Sequence, residues 1–286
     1  MALNPGPRER EFEFTQADFD SLRMLVRKLT GITLSEAKRE LVYGRLSRRL
    51  RHLRLNSFAD YRQVLAGPDG DAETVEFTNA VTTNLTAFFR EPHHFEYLRE
   101  KFLGMRVRDA HASHRIRIWC AGCSTGEEAW SIAMSVVEAV PDWRRWDIRI
   151  LATDLDTQVL QTCAAGVYGA ERMRNLSEAR LTRFFDASGS GSACRYRVKP
   201  ELAALVSFRR LNLMHRFPMH GPLDAIFCRN VVIYFDKETQ RGLFARFAPL
   251  QRTGDLLFLG HSESLLQVSE AWTSLGRTIY TRSAPC

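Results

Sequence analysis

The sequence predicts an α/β fold in which an all-helical N-terminal part of the chain precedes a domain built on a mostly parallel sheet. Up to about Arg90, apolar residues recur at helical spacing. From Arg115 onward, short apolar strands alternate with helical segments, and these strands are predicted at 115–120, 147–153, 205–211, 223–228 and 255–260. Because such alternation joins each strand to the next through a helix, it implies parallel strands with helices on both faces of the sheet.

The N-terminal part contains a series of predicted helices. The first carries an apolar stripe from Phe19 to Leu29 and is ended by Gly31, and the second runs from about Ser35 to Leu53. Two more helices are predicted over 58–65 and 72–81. We therefore predict an N-terminal domain with its linker over residues 1–90 and a second domain over residues 91–286.

Within the second domain, one stretch departs from the strand–helix alternation. A Gly/Ser-rich loop is followed by Arg195 to Lys199, which alternate as an exposed strand does, and a last strand is predicted near Tyr280. We expect a small antiparallel β insertion at about 186–210.

Composition narrows the class of protein. The 286 residues are 45% hydrophobic and 26% charged, which is typical of a soluble globular protein. No apolar run approaches the roughly 20 residues of a membrane span, and Met1 to Phe14 lack the apolar core of a signal peptide. We therefore expect a cytoplasmic protein. The net charge of +7 favours an acidic partner, which charge alone leaves open as nucleic acid, an anionic membrane surface or an acidic protein.

A glycine turn, Gly122 to Gly126, follows the first predicted strand. Ser124 and Glu127 have the spacing of a capping box, so a helix is expected to begin there. A glycine-containing turn between a strand and a helix is a common nucleotide-binding element of α/β proteins. The turn lacks Gly-Lys-Ser/Thr, which argues against a triphosphate-binding loop. An ordinary strand-to-helix turn remains the alternative.

Polar residues also end two later strands. Asp154 ends the second strand, where an acid can accept hydrogen bonds from ribose hydroxyls, although Asp154 or Asp156 could instead cap the following helix. Arg229 and Asn230 follow the strand at 223–228, and Asn230 also fits a simple cap. Tyr234 lies four residues further on, about one helical turn, so it can point the same way as Asn230.

The cysteines suggest no metal site. Cys120 and Cys123 form a C-x-x-C pair, but no second pair or histidine cluster completes four ligands, so we predict that no metal is bound. Both cysteines suit the turn as small residues, and their thiols could make the protein sensitive to oxidation.

The segment from Thr83 to Arg90 carries the most specific pattern. On its own, it could be a capped helix start with Phe88 and Phe89 as a buried pair. It resembles, however, a motif of the bacterial chemotaxis receptor methyltransferases, the CheR family. The likeness runs in order from about Phe14 to Tyr280 and also rests on the segments 124–128, 152–156, 227–235 and 260–263.

The resemblance implies a protein-glutamate O-methyltransferase that uses S-adenosylmethionine and has a Rossmann-like class I methyltransferase domain after the helical domain. Its substrates would be glutamates on cytoplasmic helices of chemoreceptors, converted to methyl esters in chemotactic adaptation. Carried over by position, Arg90 and Tyr234 would act at the transferred methyl. The residues implied at the cofactor are Asn84, Thr86, Arg90, Gly122, Glu127, Asp154, Asn212, Leu213, Arg229 and Asn230.

The basic second helix gains a role from the same resemblance. Arg48 and Arg51 lie opposite its apolar stripe, with Arg45 and Arg54 on the flanks, so these arginines are expected to dock a Glu-rich receptor helix; a solvated charged face is the alternative. A receptor C-terminal peptide could add to the β insertion. We expect a monomer without membrane insertion.

Two other functions were weighed against this prediction. The first is a methyltransferase acting on nucleic acid or a small molecule; the chain has Arg-Asn-Val-Val where many amino-group methyltransferases have Asn-Pro-Pro-aromatic, and no nucleic-acid partner is expected. The second is a cofactor-binding regulatory module without activity. Such a module would be expected to lack the polar residues around the methyl group, yet Arg90, Asn230 and Tyr234 are all present.

Overall fold

The computed structural model describes residues 10–68, 70–108 and 113–284. The chain forms two compact units, Met1–Thr83 and Asn84–Cys286. The boundary between the units lies after Thr83, whereas the sequence predicted it after Arg90. The segment from Asn84 to Arg90 belongs to the second unit because it is hydrogen-bonded there. The Asn84 side chain donates a hydrogen bond to Asp156 Oδ2 (2.7 Å), and the amide of Phe89 donates to Ser131 Oγ (2.9 Å).

The first unit is helical, as predicted. Its helices are α1 (Gln16–Thr30), α2 (Arg39–Leu53), α3 (Phe58–Ala66) and α4 (Gly70–Val81), with a short 3-10 turn, Glu36–Lys38, leading into α2. Thr15 and Asp18 form a capping box at the start of α1, and Gly31 ends that helix with φ 75°. The apolar stripes of α1 and α2 are buried, which gives the unit its own core together with Phe58 and Phe77.

The second unit contains a seven-stranded sheet with helices packed against it. Its helices are α5 (Pro92–Glu96), which continues as a π-helix over Tyr97–Leu103, α6 (Gly104–Arg108), α7 (Glu127–Ala139), α8 (Thr157–Ala165), α9 (Glu178–Phe184), α10 (Pro200–Ala203) and α11 (Lys237–Phe247). Its strands are β1 (Arg115–Ala121), β2 (Asp147–Asp154), β3 (Val167–Gly169), β4 (Phe185–Ser188), β5 (Arg195–Val198), β6 (Val206–Arg210), β7 (Ala225–Cys228), β8 (Leu256–Leu259), β9 (Trp272–Gly276) and β10 (Ile279–Arg282).

The strand order of the large sheet is β6-β2-β1-β7-β8-β10-β9. The first five are parallel, and β10 runs antiparallel to both β8 and β9. Every residue of β7 and β8 is buried, as expected for parallel strands covered on both faces. The chain order reverses between β1 and β7, which is the position where open α/β sheets bind ligands beyond the carboxyl ends of their strands.

The structure corrects the predicted range of the β insertion. The small sheet has the order β3-β5-β4 and therefore spans residues 167–198 rather than about 186–210. Strand β6 belongs instead to the large sheet, because it pairs in parallel with β2 from Ile150↔Val206 onward. The three-residue strand β3 is too short to show alternation, and β9 was missed because its residues after Trp272 are exposed and mostly polar.

Among the described residues, none of the helices combines the length and the apolar character needed to cross a bilayer.

Candidate active site

The glycine turn lies at the carboxyl end of β1 and is fixed to the neighbouring strand. The amides of Gly122 and Cys123 both donate to the carbonyl of Thr153, at 2.8 and 2.9 Å. Gly122 has φ +86°, and a Cβ placed on it would lie 2.5 Å from Cγ2 of Val231. The turn after β1 therefore approaches the loop after β7 so closely that a side chain has no room at this position.

Helix α7 begins where predicted, but not through the predicted capping box. Its N-cap is Gly126, with φ +99°, and the hydroxyl of Thr125 donates to Glu127 Oε2 at 2.6 Å. Ser124 adopts φ 48°, and its buried Oγ has no hydrogen-bond partner among the described residues. A buried hydroxyl without a partner is costly, so this atom fits a site completed by a polar ligand.

Of the two acids that could cap α8, the structure uses Asp156. Asp156 caps α8, since its Oδ1 accepts from the amides of Gln158 (2.8 Å) and Val159 (3.3 Å). Asp154 ends β2 and accepts from the amides of Ser124 (2.8 Å) and Asp156 (3.0 Å). Burial raises the pKa of Asp154, although both amide hydrogen bonds oppose that shift. Asp154 is thus the carboxylate held beside the glycine turn, and its predicted ribose contact stays a prediction.

The segment Asn84 to Arg90 is anchored at several points along its length. Asn84 bonds to Asp156, as described above, and Nη1 of Arg90 donates to the carbonyl of Leu85 at 3.0 Å. Phe88 and Phe89 are buried, with the Phe88 ring in edge contact with Tyr168 (5.2 Å). The aromatic pair therefore fixes the segment in the core, while Asn84, Thr86 and Arg90 stay partly exposed.

Arg229, at the end of β7, holds this segment from the other side. Its side chain is 1% exposed and contacts the carboxylates of Glu128 (2.7 Å) and Glu91 (3.3 Å), and it donates to the carbonyl of Arg90. Arg229, Glu91 and Glu128 form what we call the buried ion cluster. The guanidinium faces inward and positions the Arg90 segment, and the predicted contact of Arg229 with a cofactor stays a prediction.

The buried ion cluster shifts the ionisation of its members. Burial opposes the charge on Glu91, but the hydrogen bond from His261 and the charge of Arg229 outweigh it and lower the Glu91 pKa to about 2. Burial raises the pKa of Glu128 despite Arg229. Burial and the Arg229 charge lower the pKa of the neighbouring His94 to about 4, so His94 is neutral at pH 7.

Glu91, His93 and His94 also lie close enough together to share a metal ion. The guanidinium of Arg229 is 3.3 Å from Glu91 Oε2, however, and already supplies the positive charge that this carboxylate needs. A cation placed between Glu91 and His94 would be repelled by Arg229 at short range. The electrostatics of the cluster therefore work against a metal there.

Glu263 fixes the loop after β7, a role that the sequence analysis did not assign. One of its oxygens accepts from the amides of Val231 (2.8 Å) and Ile233 (3.2 Å), and the other accepts from Asn230 (2.8 Å) and Gly260. Burial raises the pKa of Glu263, although the four amide bonds oppose it. Asn230 itself has φ 58°. This one carboxylate therefore fixes the backbone conformation of the loop that carries Asn230 and Tyr234.

Tyr234 is partly exposed and ends a 3-10 turn, Val232–Tyr234. The backbone of Asn230 is in the left-handed region, and this residue lies outside the turn. Asn230 and Tyr234 therefore do not share one helix, contrary to what their four-residue spacing suggested.

Asn212 and Leu213 follow β6 at the same edge of the sheet. The amide of Leu211, just before them, donates to the carbonyl of Asp154 at 2.9 Å. Asn212 Oδ1 accepts from the amide of Met214 (2.9 Å), and the carbonyl of Leu213 accepts from Arg246 (2.7 Å). The residue just before them is thus bonded to Asp154, and their predicted place by the ligand stays a prediction.

Glu127 is fully buried and paired with Arg172 at 2.9 Å. Arg172 comes from the turn after β3 and was not singled out in the sequence. Its side chain is 42% exposed, so it can move away if a ligand ammonium takes its place. The predicted cofactor role of Glu127 stays a prediction.

The cysteines near the glycine turn are reduced and buried. The thiol of Cys163 donates to the carbonyl of Ser124 (3.0 Å), and that of Cys120 donates to Glu128 (3.2 Å). Burial raises the pKa of Cys120 well above its usual range. Thiolate is the reactive form, so this environment protects Cys120 from the oxidation that the sequence suggested.

A cavity of about 460 Å³ opens beside Arg90. Its wall also contains Phe89, Asn175 and Arg180, and the Arg180 guanidinium lies 3.8 Å from the centre of the Phe89 ring. Arg90 therefore borders open space whose wall carries both arginines and the acids Glu91 and Glu96.

Comparison with known proteins places this site in a family. The description "CheR methyltransferase, all-alpha domain" matches residues 17–82, and "CheR methyltransferase, SAM binding domain" matches residues 84–281. The chain is 46% identical to chemotaxis protein methyltransferase 2 of Pseudomonas aeruginosa, over 95% of both chains. It is 43% identical to the chemotaxis protein methyltransferase of Klebsiella aerogenes, over 93% of this chain and 89% of the relative. The corresponding protein of Escherichia coli is 40% identical, over 94% and 92%.

The two family matches meet at the division between the two compact units, and the second covers every element of the site described above. The buried Ser124 hydroxyl, the Asp154 carboxylate and the close glycine turn fit S-adenosylmethionine, the ligand of that domain. The chain therefore belongs to the CheR methyltransferase family and is a methyltransferase that uses S-adenosylmethionine.

Proposed function

We propose that this methyltransferase esterifies glutamate side chains of bacterial chemoreceptors, on helices that lie in the cytoplasm. The relatives named as chemotaxis protein methyltransferases support the receptor as substrate. The observation that carries the proposal is the anchoring of the Arg90 segment at both ends. Asn84 bonds to the loop after β2, and the Arg90 carbonyl bonds to Arg229 at the end of β7. The backbone of Arg90 is thereby held at the edge of the sheet where the proposed cofactor residues lie.

The residues around the glycine turn would hold the cofactor. Asp154 would accept the ribose hydroxyls, the Ser124 hydroxyl would gain a polar partner, and Asn212 with Leu213 would lie by the adenine. Bound S-adenosylmethionine supplies a methyl group on a sulfonium, which is already an activated leaving group. The protein therefore has to supply position and exclusion of water rather than a nucleophile of its own.

A glutamate acceptor suits this arrangement. A carboxyl group with a pKa of about 4.3 is ionised at neutral pH, so it needs no general base. Arg90 and Tyr234 would orient the carboxylate behind the methyl. A very tight ion pair would weaken the attacking oxygen, so we assign them orientation rather than full charge neutralisation.

The receptor would dock through helix α2. Arg48, Arg51 and Arg54 are exposed, and a Glu-rich helix would be attracted to them. Arg45 is different, because its Nη1 donates to the carbonyls of Val81 (3.1 Å) and Thr82 (2.6 Å) at the end of α4. We therefore assign Arg45 to the stability of the helical unit and only the other three to docking. An edge strand of the small sheet offers a place for a receptor C-terminal peptide.

Transfer of labelled methyl from S-adenosylmethionine to membranes tests this function. Membranes from cells that contain chemoreceptors should yield a labelled protein of receptor size after gel electrophoresis. Membranes from receptor-deleted cells should yield none. Asp154→Ala should reduce this transfer and weaken cofactor binding in calorimetry. Equal labelling of both membranes would contradict a receptor substrate.

A further inference from the structure

Two large apolar side chains are displayed on the loops that carry the proposed catalytic residues. Leu85 is 78% exposed and lies between Asn84 and Thr86, and Ile233 is 47% exposed and directly precedes Tyr234. Single exposed apolar residues are common on protein surfaces. These two differ in their position within the site and in how firmly their backbone is held.

The backbone of each residue is fixed by polar contacts. The carbonyl of Leu85 accepts from Arg90 Nη1 (3.0 Å), and the amide of Ile233 donates to Glu263 (3.2 Å). Their neighbours Asn84 and Val232 are held by Asp156 and by burial in the core. An apolar side chain presented on a fixed backbone loses little conformational entropy when a partner covers it.

The two loops are joined to each other. Arg90 reaches back to Leu85 through its guanidinium, and its own carbonyl accepts from Arg229, which lies four residues before Ile233. Leu85 and Ile233 therefore lie on two segments that Arg229 ties together. We call these two side chains the apolar rim.

We infer that the apolar rim grips the acceptor protein. Its occupant would be a helical segment whose small or apolar side chains, one turn before or after the acceptor glutamate, pack on Leu85 and Ile233. This inference rests on the proposed function, because a glutamate must reach Arg90 and Tyr234 for the rim to be covered.

The choice of a helix follows from the chemistry of the site. Residues three and four positions from the acceptor lie on the same helix face as its carboxylate. When that carboxylate points toward Arg90 and Tyr234, those neighbours face Leu85, whose carbonyl Arg90 contacts, and Ile233, which precedes Tyr234. An acidic residue flanked by apolar ones on one helix face therefore matches both the charge of Arg90 and the apolar rim.

The test compares substitutions inside and outside the apolar rim. Leu85→Ser and Ile233→Ser should each lower kcat/KM for receptor-containing membranes about five- to tenfold, with S-adenosylmethionine affinity and thermal midpoint unchanged. Leu85→Met, which keeps an apolar side chain at this position, should retain most of the kcat/KM of the unaltered protein. Met105→Ser is the matched control: Met105 is 57% exposed and precedes Arg106, which pairs with Asp224 at the opposite end of β7, so this change should leave kcat/KM unaltered.

Four results would overturn the inference. Normal receptor methylation by both rim variants would overturn it alone and leave the proposed function standing. A fall in cofactor affinity would assign the side chains to the cofactor site instead. A change of sedimentation from one oligomeric state to another would assign them to contact between copies of this chain. Absence of receptor methylation by the unaltered protein would remove the proposed function and the inference together.

Discussion

Arg229 connects several separate parts of the site. It joins the end of β7 to Glu128 on α7 and to the Arg90 segment, while its guanidinium also lies over the Phe95 ring at 5.4 Å. The planar guanidinium offers five donors in a fixed geometry, whereas a lysine ammonium offers three on a flexible stem.

Arg229→Met should be strongly destabilising. It leaves the mostly buried carboxylates of Glu91 and Glu128, 11% and 12% exposed, without Arg229, and removal of one partner of a buried ion pair typically costs about 3–5 kcal/mol. Urea unfolding of the whole chain measures this cost. Arg252→Met is the control. Arg252 likewise pairs with a buried carboxylate, that of Asp224, but its own side chain is 53% exposed, so its loss should cost about 1 kcal/mol or less. Equal effects of the two substitutions would contradict the buried ion cluster as described.

His94 should make stability depend on pH. Its pKa is about 4 in the folded protein and about 6.5 in an unfolded chain. As pH falls through 6.5, the unfolded state takes up a proton that the folded state refuses until about pH 4. Stability is therefore lost across this window as pH falls, by up to about 1.4 kcal/mol per pH unit.

His94→Gln should flatten that dependence. Nε2 of His94 lies 2.9 Å from the Arg277 carbonyl, and the glutamine amide can donate to the same oxygen without titrating. Unfolding free energies at pH 6.5 and 5 measure the slope. The neighbouring, partly exposed His93 provides the control substitution His93→Gln, which should retain the slope of the unaltered protein. An unchanged slope in His94→Gln would refute the role of His94.

At the scale of elements, the glycine turn shows what sequence patterns can and cannot predict. Its place between a strand and a helix was predicted because glycines and apolar alternation are local signals. The capping box was wrong, because Gly126 caps α7 and Ser124 turns its amide toward Asp154. The donor, Ser124, lies in the turn after β1, and the acceptor, Asp154, ends β2. A contact between two such distant segments has no local signature in the sequence.

The close approach of Gly122 to Val231 gives a prediction for the turn. Gly122→Ala should reduce S-adenosylmethionine affinity tenfold or more in calorimetry, because its Cβ would force the loops after β1 and β7 apart. Gly254→Ala is the control: Gly254 has φ +89° but nothing within 4 Å of an added Cβ, so the change should cost only backbone strain of about 1–2 kcal/mol.

A second substitution separates steric conflict from strain at Gly122. Adding Val231→Ala to Gly122→Ala removes the Cγ2 that the new Cβ would meet, so part of the affinity should return. If Gly122→Ala binds the cofactor normally, or if the double variant recovers nothing, the clash does not determine the shape of the site.

Across the whole molecule, the order of elements was predictable, but much of the site depends on contacts between distant segments. Helices of the first unit and strands of the parallel sheet follow from periodicity. Glu263 illustrates the rest: it accepts from four amides, three of them about thirty residues away. Only the folded chain reveals that contact, and only the family likeness indicated which residues would meet at one ligand.

The basic face of α2 gives a prediction that concerns the whole protein and its partner. Arg48→Glu with Arg51→Glu should slow receptor methylation roughly tenfold at low salt and less at high salt, because electrostatic steering is screened. Cofactor affinity should not change. Arg23→Glu with Lys28→Glu alters the net charge equally on α1 and should have little effect. If both pairs slow the reaction alike, net charge rather than the α2 surface is responsible.

The central claim is that the transferred methyl becomes a glutamyl ester. Receptor-containing membranes can be incubated with the protein and methyl-labelled S-adenosylmethionine, and the receptor peptides can then be analysed by mass spectrometry before and after mild base. We expect label on glutamate residues and its release as methanol by base. Label that survives base on a nitrogen-containing side chain would contradict it.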